Sequence, residues 1–152
     1  MPPTTLGERL AGAARELGSA VRARDAAPAG RAAARLVGLG TGLTPSGDDF
    51  LCGLLAGYRF SQVNLRFATT MKMELVFLNS EGNNLISNSF LRASYEGKVN
   101  AKVRRLMLAL GRRDRMELAA AAKAALESGH TSGADFCAGL AFALLEELKG
   151  LK

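Results

Sequence analysis

Apolar side chains recur every three or four residues along most of this chain, the spacing that is typical of amphipathic α-helices. The pattern predicts a first helix over residues 5–26, with apolar positions at Leu6, Leu10, Ala13, Ala14, Leu17 and Val21. Pro28 and Gly30 break this pattern, and a short helix over residues 31–36 is predicted before a glycine-rich turn.

Five further helices follow by the same criterion. They are predicted over residues 47–58, 85–96, 99–110, 114–127 and 132–149. Gly97 and Gly111 separate three of them, as glycine commonly does at helix ends. Six or seven helices with little sheet predict an all-α fold, and the length of 152 residues suits a single compact helical domain over residues 1–152.

Residues 61–84 depart from the helical pattern. Partly alternating apolar positions in VNLRFATT and KMELVFLN suit one or two short strands within residues 62–80, or an irregular excursion, before a turn at residues 81–84. We therefore divide the domain into an N-terminal helix (1–30), two repeated units (31–60 and 128–150) and this excursion.

An internal repeat organises the chain. Residues 38–57 read GLGTGLTPSGDDFLCGLLAG, and residues 129–140 read GHTSGADFCAGL. Without a gap, five pairs of identical residues align: Ser46 with Ser132, Gly47 with Gly133, Asp49 with Asp135, Phe50 with Phe136 and Gly53 with Gly139. We interpret the two stretches as copies of one loop-to-helix unit that face each other across a shared site, with the glycines allowing the helices to approach closely.

The shared serines and acids fit a capping box at each helix start. Ser46 and Ser132 would accept free backbone N–H groups, while Asp49 and Asp135 would reach back to the serine N–H. These residues are therefore assigned mainly to structure. Asp48 aligns with Ala134 instead, so its carboxylate is the one predicted to be free for chemistry, although it could also only complement the positive helix end.

Two more unshared positions are candidates for the site. His130, the single histidine, aligns with Thr44 and could donate or accept a proton because histidine titrates near neutral pH, or could only form a hydrogen bond with the backbone.

The glycine turn lacks the GxGxxG spacing of dinucleotide-binding loops. It has phosphate-loop spacing from Gly42 to Gly47, but Asp48 replaces the lysine, so a ligand with N–H donors or a divalent cation suits it better.

The composition argues against a membrane-spanning protein, a secreted protein and a structural zinc site. No apolar run approaches the 18 residues of a membrane span, and the N-terminus lacks an apolar signal core, so we expect a cytoplasmic protein. Cys52 and Cys137 fall inside apolar helices and are expected to be buried thiols. With one histidine and two cysteines, a structural zinc site is excluded.

The net charge of +6 is concentrated in one region of the sequence. Its basic residues are Lys98, Lys102, Arg104, Arg105, Arg112, Arg113 and Arg115. Neither Phe nor Tyr interleaves them to stack on bases, and no DNA-reading motif is evident. A solvated helix face, or a docking surface for an acidic partner subunit, is favoured over nucleic-acid binding.

Three blocks of the chain resemble the AllH-type family, a bacterial family long catalogued as a domain of unknown function. The blocks are GLGTGLTPSGDDFLCGLLAG, NNLISNSFLRASYEGKV and GHTSGADFCAGL, and the resemblance covers about residues 31–148. It implies a subunit of oxamate carbamoyltransferase, which converts oxalurate and phosphate to oxamate and carbamoyl phosphate in purine (allantoin) catabolism. Family members usually carry a further N-terminal region, and commonly have Pro where this chain has Thr41.

Three hypotheses for function follow. The first is a carbamoyltransferase subunit, working with other subunits or as a homo-oligomer, that binds a small carbamoyl or carboxylate ligand between the two helix starts. The catalytic candidates of this hypothesis are Asp48 and His130. Its binding candidates are Gly40, Thr44, Ser46, Gly47, Asp49, Ser132, Gly133 and Asp135. The candidate anion ligands are Arg31, Arg35 and Arg92. The second is a Mg²⁺-dependent hydrolase that uses Asp48, Asp49 and Asp135, and the third is a structural or interaction domain. We expect no cofactor for the first and third.

Overall fold

A computed structural model describes residues 4–61 and 85–150 of the chain, and these residues form seven helices. The helices are α1 (Leu6–Arg22), α2 (Ala26–Ala34), α3 (Ser46–Ser61), α4 (Leu85–Tyr95), α5 (Ala101–Arg112), α6 (Arg115–Leu126) and α7 (Ser132–Gly150). No strand occurs in the two described ranges, so the prediction of an all-α fold is confirmed. The strands predicted within residues 62–80 and the turn at 81–84 lie outside the described residues.

The second helix begins earlier than the sequence pattern predicted. Helix α2 starts at Ala26 and ends at Ala34, so the break expected at Pro28 and Gly30 is wrong. Pro28 lies in the first turn of the helix, where the missing N–H of proline has no intrahelical partner to lose. Gly30 is buried in the same helix.

Side-chain caps fix the starts of three helices. Thr5 and Glu8 form a capping box on α1, in which the Thr5 amide donates to Glu8 Oε2 (2.7 Å) and the Glu8 amide donates to Thr5 Oγ1 (3.2 Å). Asn100 and Asp114 cap α5 and α6, each accepting the backbone N–H three residues on. Each such cap contributes on the order of 1 kcal/mol, so these helix starts are well specified.

Helices α3 and α7 form the central pair, and their backbones come into direct contact. A Cβ atom on Gly53 would lie 1.9 Å from the carbonyl oxygen of Phe136, and a Cβ on Gly139 would lie 1.9 Å from that of Phe50. Because Phe50 and Phe136 are themselves equivalent in the repeat, the contact is pseudo-symmetric. The prediction that the two repeated helices pack through their glycines is confirmed.

The remaining helices surround this pair. Helix α4 packs on α3, α1 packs on α2 and α7, and α6 packs on α5 and α7. One apolar cluster holds Leu17, Leu51 and Leu54, and a second holds Leu106 and Leu140. The side chain of Phe136 packs against both clusters, so α7 joins the two parts of the core.

A partly buried ion pair joins α1 to α7. Glu146 is buried and accepts hydrogen bonds from Arg22 Nη1 (2.5 Å) and Lys149 Nζ (2.9 Å). Burial alone would raise the pKa of Glu146, but the bonds from Lys149 and Arg22 hold it below its usual value. None of the described helices combines the length and the apolarity that crossing a lipid bilayer demands.

Candidate functional site

The glycine-rich turn packs tightly against the start of α3. Gly40 has φ +128°, a value that side chains other than glycine rarely adopt, and a Cβ atom there would lie 2.7 Å from the amide nitrogen of Ser46. The amide of Gly38 donates a hydrogen bond to Asp48 Oδ1 (2.8 Å). The turn is therefore fixed to the helix it precedes by a close backbone approach and one side-chain bond.

Both repeated helices begin at the serine itself, which corrects the predicted capping boxes. The Asp49 amide donates to the carbonyl of Pro45 (3.0 Å), and the Asp135 amide donates to the carbonyl of Thr131 (3.0 Å). Since the cap residue is the one whose carbonyl accepts the first helical bond, Pro45 and Thr131 are the caps. The serines are thus the first residues of α3 and α7, one position too late for a capping box.

This shift of one residue exchanges the predicted places of the two neighbouring carboxylates. Asp48 is only 1% exposed, and its Oδ1 holds the glycine turn. Asp49, which is 9% exposed, turns instead toward Thr44 and Ser132 and lines a cavity. The geometry therefore places Asp49, rather than Asp48, where a ligand could reach it.

The cavity, which we call the site cavity, has a volume of about 530 Å³ and lies where the two repeated units meet α4 and α5. Thr44, Asp49, Ser132 and Gly133 line it from the repeated units. Thr44 Oγ1 and Ser132 Oγ are 3.1 Å apart and share a hydrogen bond that joins the two copies. The sequence prediction that the helix starts meet at a common site agrees with this arrangement.

Burial governs the electrostatics of Asp49. It raises the pKa of this carboxyl, the negative charges of Asp135 and Asp48 raise it further, and the hydroxyls of Ser132 and Thr44 lower it. The net effect is a raised pKa. Asp49 is thus a carboxyl group that gives up its proton less readily than one in water.

Three buried carboxylate oxygens lack a hydrogen-bond partner within the described ranges. They are Oδ2 of Asp48, Asp49 and Asp135. A buried polar atom without a partner costs about 1–3 kcal/mol. Asp49 is the one of these three acids that lines the site cavity, so its Oδ2 points to a ligand with N–H or O–H donors. Across residues 4–61 and 85–150, no group of three or more His, Cys, Asp or Glu side chains is arranged to hold a metal ion.

The amides at the two helix starts are largely engaged inside the chain. The Gly47 amide donates to the Leu39 carbonyl (2.8 Å), and the Gly133 amide donates to the Ser128 carbonyl (2.8 Å). The amide of Asp48 also bonds within the chain, to Pro45. The backbone N–H groups of Gly47 and Gly133, which were predicted as binding residues, are therefore already engaged and are not free for a ligand.

The site cavity is also lined by polar residues that the sequence did not lead us to predict as part of the site. They are Ser94, Lys98 and Asn100, from the end of α4 and the loop before α5. Lys98 is the one cationic side chain among the described residues that line the cavity, and its Nζ donates to Glu96 Oε2 (2.6 Å). The second resemblance block contains Lys98, which was the available signal for it.

The other predicted polar candidates lie elsewhere. His130 is exposed in the turn before α7 and is not among the residues that line the site cavity. Arg31, Arg35 and Arg92 are exposed and do not line it either, and Arg35 forms an ion pair with Glu16. Anion binding by these arginines in the site cavity is not supported.

Cys52 lines the site cavity as a protonated thiol. Burial raises its pKa to about 12, so its reactive thiolate form is scarce at neutral pH. Cys137 is half-buried, and burial raises its pKa as well. The expectation of two buried thiols holds fully for Cys52 and in part for Cys137.

Comparison with known proteins gives one match. The model of the family described as oxamate carbamoyltransferase subunit AllH matches residues 36–144, which include both repeated loop-helix units and the lining residues of α4 and α5. No curated protein and no solved structure matches the chain. Since the matched residues make up most of its length and contain the whole site cavity, the chain belongs to the AllH family of oxamate carbamoyltransferase subunits.

Proposed function

We propose that this chain binds a small carbamoyl or ureido compound with an acidic end, as a subunit of an oxamate carbamoyltransferase-like complex. The observation that carries the proposal is the Asp49 carboxyl, whose buried Oδ2 has no partner among the described residues, in the wall of a cavity of about 530 Å³. The –NH₂ of a carbamoyl group supplies the donors that this oxygen lacks.

The polarity of the site cavity suggests how the ligand lies. Its N–H end faces Asp49 and the hydroxyls of Thr44 and Ser132, which both accept and donate. Its acidic end faces Lys98 and Asn100, which also line the cavity. Oxamate and oxalurate both have an amide or ureido group at one end and a carboxylate at the other. They therefore match the acceptor residues and the cationic residue that line the cavity.

The same residues favour a subunit over a self-sufficient enzyme. Among the described lining residues there is no histidine, and the Cys52 thiol is held protonated. An activated nucleophile needs an adjacent base, and a phosphate co-substrate needs more than one cation. We therefore assign ligand binding to this chain and expect the remaining catalytic groups to come from its partners.

The Asp49→Asn variant tests the N–H end of the site. It keeps the side-chain shape but removes the anionic acceptor, so the rise in melting temperature caused by oxamate or oxalurate should be lost. A ligand at roughly 100 times its Kd stabilises a protein by about 2.7 kcal/mol, which a thermal melt resolves.

Asp25→Asn is the matched control, because Asp25 is exposed and makes no side-chain cap bond. It should keep the full ligand response. If neither ligand, nor carbamoyl phosphate, shifts the melting of the unaltered chain, binding by this subunit alone is refuted, and the structural-domain hypothesis takes its place. A shift caused by Mg²⁺ alone would instead favour the hydrolase hypothesis.

The Lys98→Gln variant tests the acidic end. It should weaken binding of oxamate about tenfold, as expected for a lost charge-assisted hydrogen bond, and should leave binding of the neutral analogue oxamide nearly unchanged. Lys102→Gln is the control, since Lys102 is exposed on α5 and does not line the cavity. Isothermal titration of both compounds measures the difference, and equal losses for the two would contradict the assignment.

A further inference from the structure

A second cavity, of about 470 Å³, lies between α5 and α6. We call it the arginine groove, and it is lined by Val99, Arg104, Arg105, Leu108, Arg112 and Glu117, together with two alanines. The family match does not assign it a role, and none of its arginines lines the site cavity.

The groove has more positive charge than its own acids neutralise. Arg105 pairs with Glu117 (2.5 Å), and this bond, with the nearby charge of Arg112, lowers the pKa of Glu117. Neither Arg104 nor Arg112 has a carboxylate within 4.0 Å among the residues that the structure describes. One carboxylate thus faces three guanidinium groups, and an acidic partner would complement the surplus.

Apolar side chains accompany these arginines. Leu108 lies in the groove with 46% of its surface exposed, and Val99 is half-buried beside it. Protein interfaces combine an apolar centre with arginines that form bidentate contacts, and both residue types contribute strongly to binding energy there. The groove has this composition.

The arginine groove also adjoins the site cavity. Val99 lines both cavities, and its neighbours Lys98 and Asn100 line the site cavity. A protein bound in the groove would therefore lie next to the loop that carries Lys98, the cationic residue of the site cavity.

We propose that the arginine groove is the docking surface for an acidic surface of another subunit of the complex. In the docked complex this subunit lies beside Lys98 of the site cavity. The inference rests on the proposed function, because it takes the partner to be a carbamoyltransferase subunit. Docking there would bring the partner's groups close to the bound ligand and so supply what this chain's own cavity lacks.

Other occupants fit the groove less well. Nucleic acid is disfavoured because none of the described residues that line the groove is aromatic, and because Glu117 would repel a phosphate backbone. Residues 62–84 of this chain carry two acids and two basic residues, so their sequence offers no acidic surplus. A second copy of the chain carries the same net charge of +6 and would be repelled.

The test mixes the purified chain with the other subunits of an oxamate carbamoyltransferase and measures their assembly by analytical sedimentation. The double variant Arg104→Glu with Arg112→Glu should weaken assembly at least about tenfold, as loss of interfacial charge pairs does. The milder pair Arg104→Gln with Arg112→Gln should weaken it in the same direction if the first variant misfolds. Assembly of the unaltered chain should also weaken between about 50 mM and about 500 mM salt.

The control is Arg9→Glu with Arg15→Glu, the same charge change at two exposed residues of α1. It should assemble like the unaltered chain. If the groove variants fold and assemble as well as the unaltered chain, the proposed docking surface is refuted, but the role as a subunit is not. Failure of the unaltered chain to assemble would overturn its role as a subunit, and the docking surface with it. Oligonucleotide binding that the groove variants abolish, without any assembly, would assign the groove to nucleic acid.

Discussion

Asp48 and Asp49 are adjacent in α3 but have different surroundings, because consecutive helical residues point about 100° apart. Asp48 holds the Gly38 amide, whereas Asp49 faces the Thr44 and Ser132 hydroxyls. A role for either acid thus depends on where the helix begins, and a shift of one residue exchanges them.

Replacing Asp48 should cost stability. Asp48→Ala leaves the part-buried Gly38 amide without its acceptor, so the free energy of unfolding should fall by about 1–3 kcal/mol in urea titrations. Asp25→Ala, at an exposed aspartate without a cap bond, should change it by less than about 0.5 kcal/mol. Equal effects of the two substitutions would show that the bond to the glycine turn contributes nothing.

Asp49 should make stability depend on pH. Its pKa in the folded chain is raised above 3.8, so the folded state holds the proton more tightly than the unfolded state does. Stability is therefore lost as the pH rises from 3.8 through the raised pKa, where the buried carboxyl must ionise. The Asp49→Asn variant lacks this loss, so its melting temperature should gain on that of the unaltered chain across the window. Parallel pH profiles would contradict the raised pKa.

From the sequence, the acids and serines of the repeat could be grouped as candidates, but the separate role of each could not be assigned. The repeat led us to group Ser46, Asp49, Ser132 and Asp135, because identical residues at identical spacing imply a common geometry, and of these Asp49 and Ser132 line the site cavity. It could not show that Pro45 and Thr131 are the caps, since a serine followed three residues later by an acid looks the same at either register. Lys98 was missed because only the folded chain brings it to the cavity.

The pairing of α3 with α7 is the element-scale feature most sensitive to substitution. Gly53→Ala or Gly139→Ala would place a methyl group 1.9 Å from a carbonyl oxygen of the opposite helix, so the helices must separate. We expect each to lower the free energy of unfolding by about 3 kcal/mol or more.

Gly12→Ala on α1 is the control for these two variants. A Cβ atom there meets nothing within 4 Å, and alanine favours helix over glycine by about 0.5–1 kcal/mol. Gly12→Ala should therefore raise the melting temperature measured by circular dichroism, while the other two lower it. Similar behaviour of all three would mean that the close approach is not required.

The elements themselves were largely predictable from local pattern. Apolar spacing located six of the seven described helices within a few residues, because each is amphipathic or carries a cap signal. The start of α2 was misplaced since Pro28 and Gly30 read as a break, although proline is well tolerated in a first turn. Their tertiary arrangement could be inferred only for α3 and α7, where the repeat supplied a symmetry.

At the scale of the molecule, the core consists of two apolar clusters, and each cluster contains residues of both α3 and α7. Leu17→Ala in the first cluster and Leu106→Ala in the second should each cost about 2–5 kcal/mol. If residues 1–152 form one domain, as predicted, scanning calorimetry should show a single transition that both substitutions lower. Two transitions, with each variant shifting only one, would mean that the clusters unfold independently.

The pairing of the two loop-helix units also has a consequence for synthesis on the ribosome. Thr44 and Ser132, whose hydroxyls join the units, are 88 residues apart in the chain. At about 5–20 residues per second, translation makes the first unit roughly 4–18 seconds before its partner exists. During that interval the face of α3 that contacts α7 is uncovered, and exposed apolar surfaces promote aggregation. The nascent chain should therefore depend on chaperones until α7 emerges, and a product truncated before Ser132 should accumulate as insoluble material.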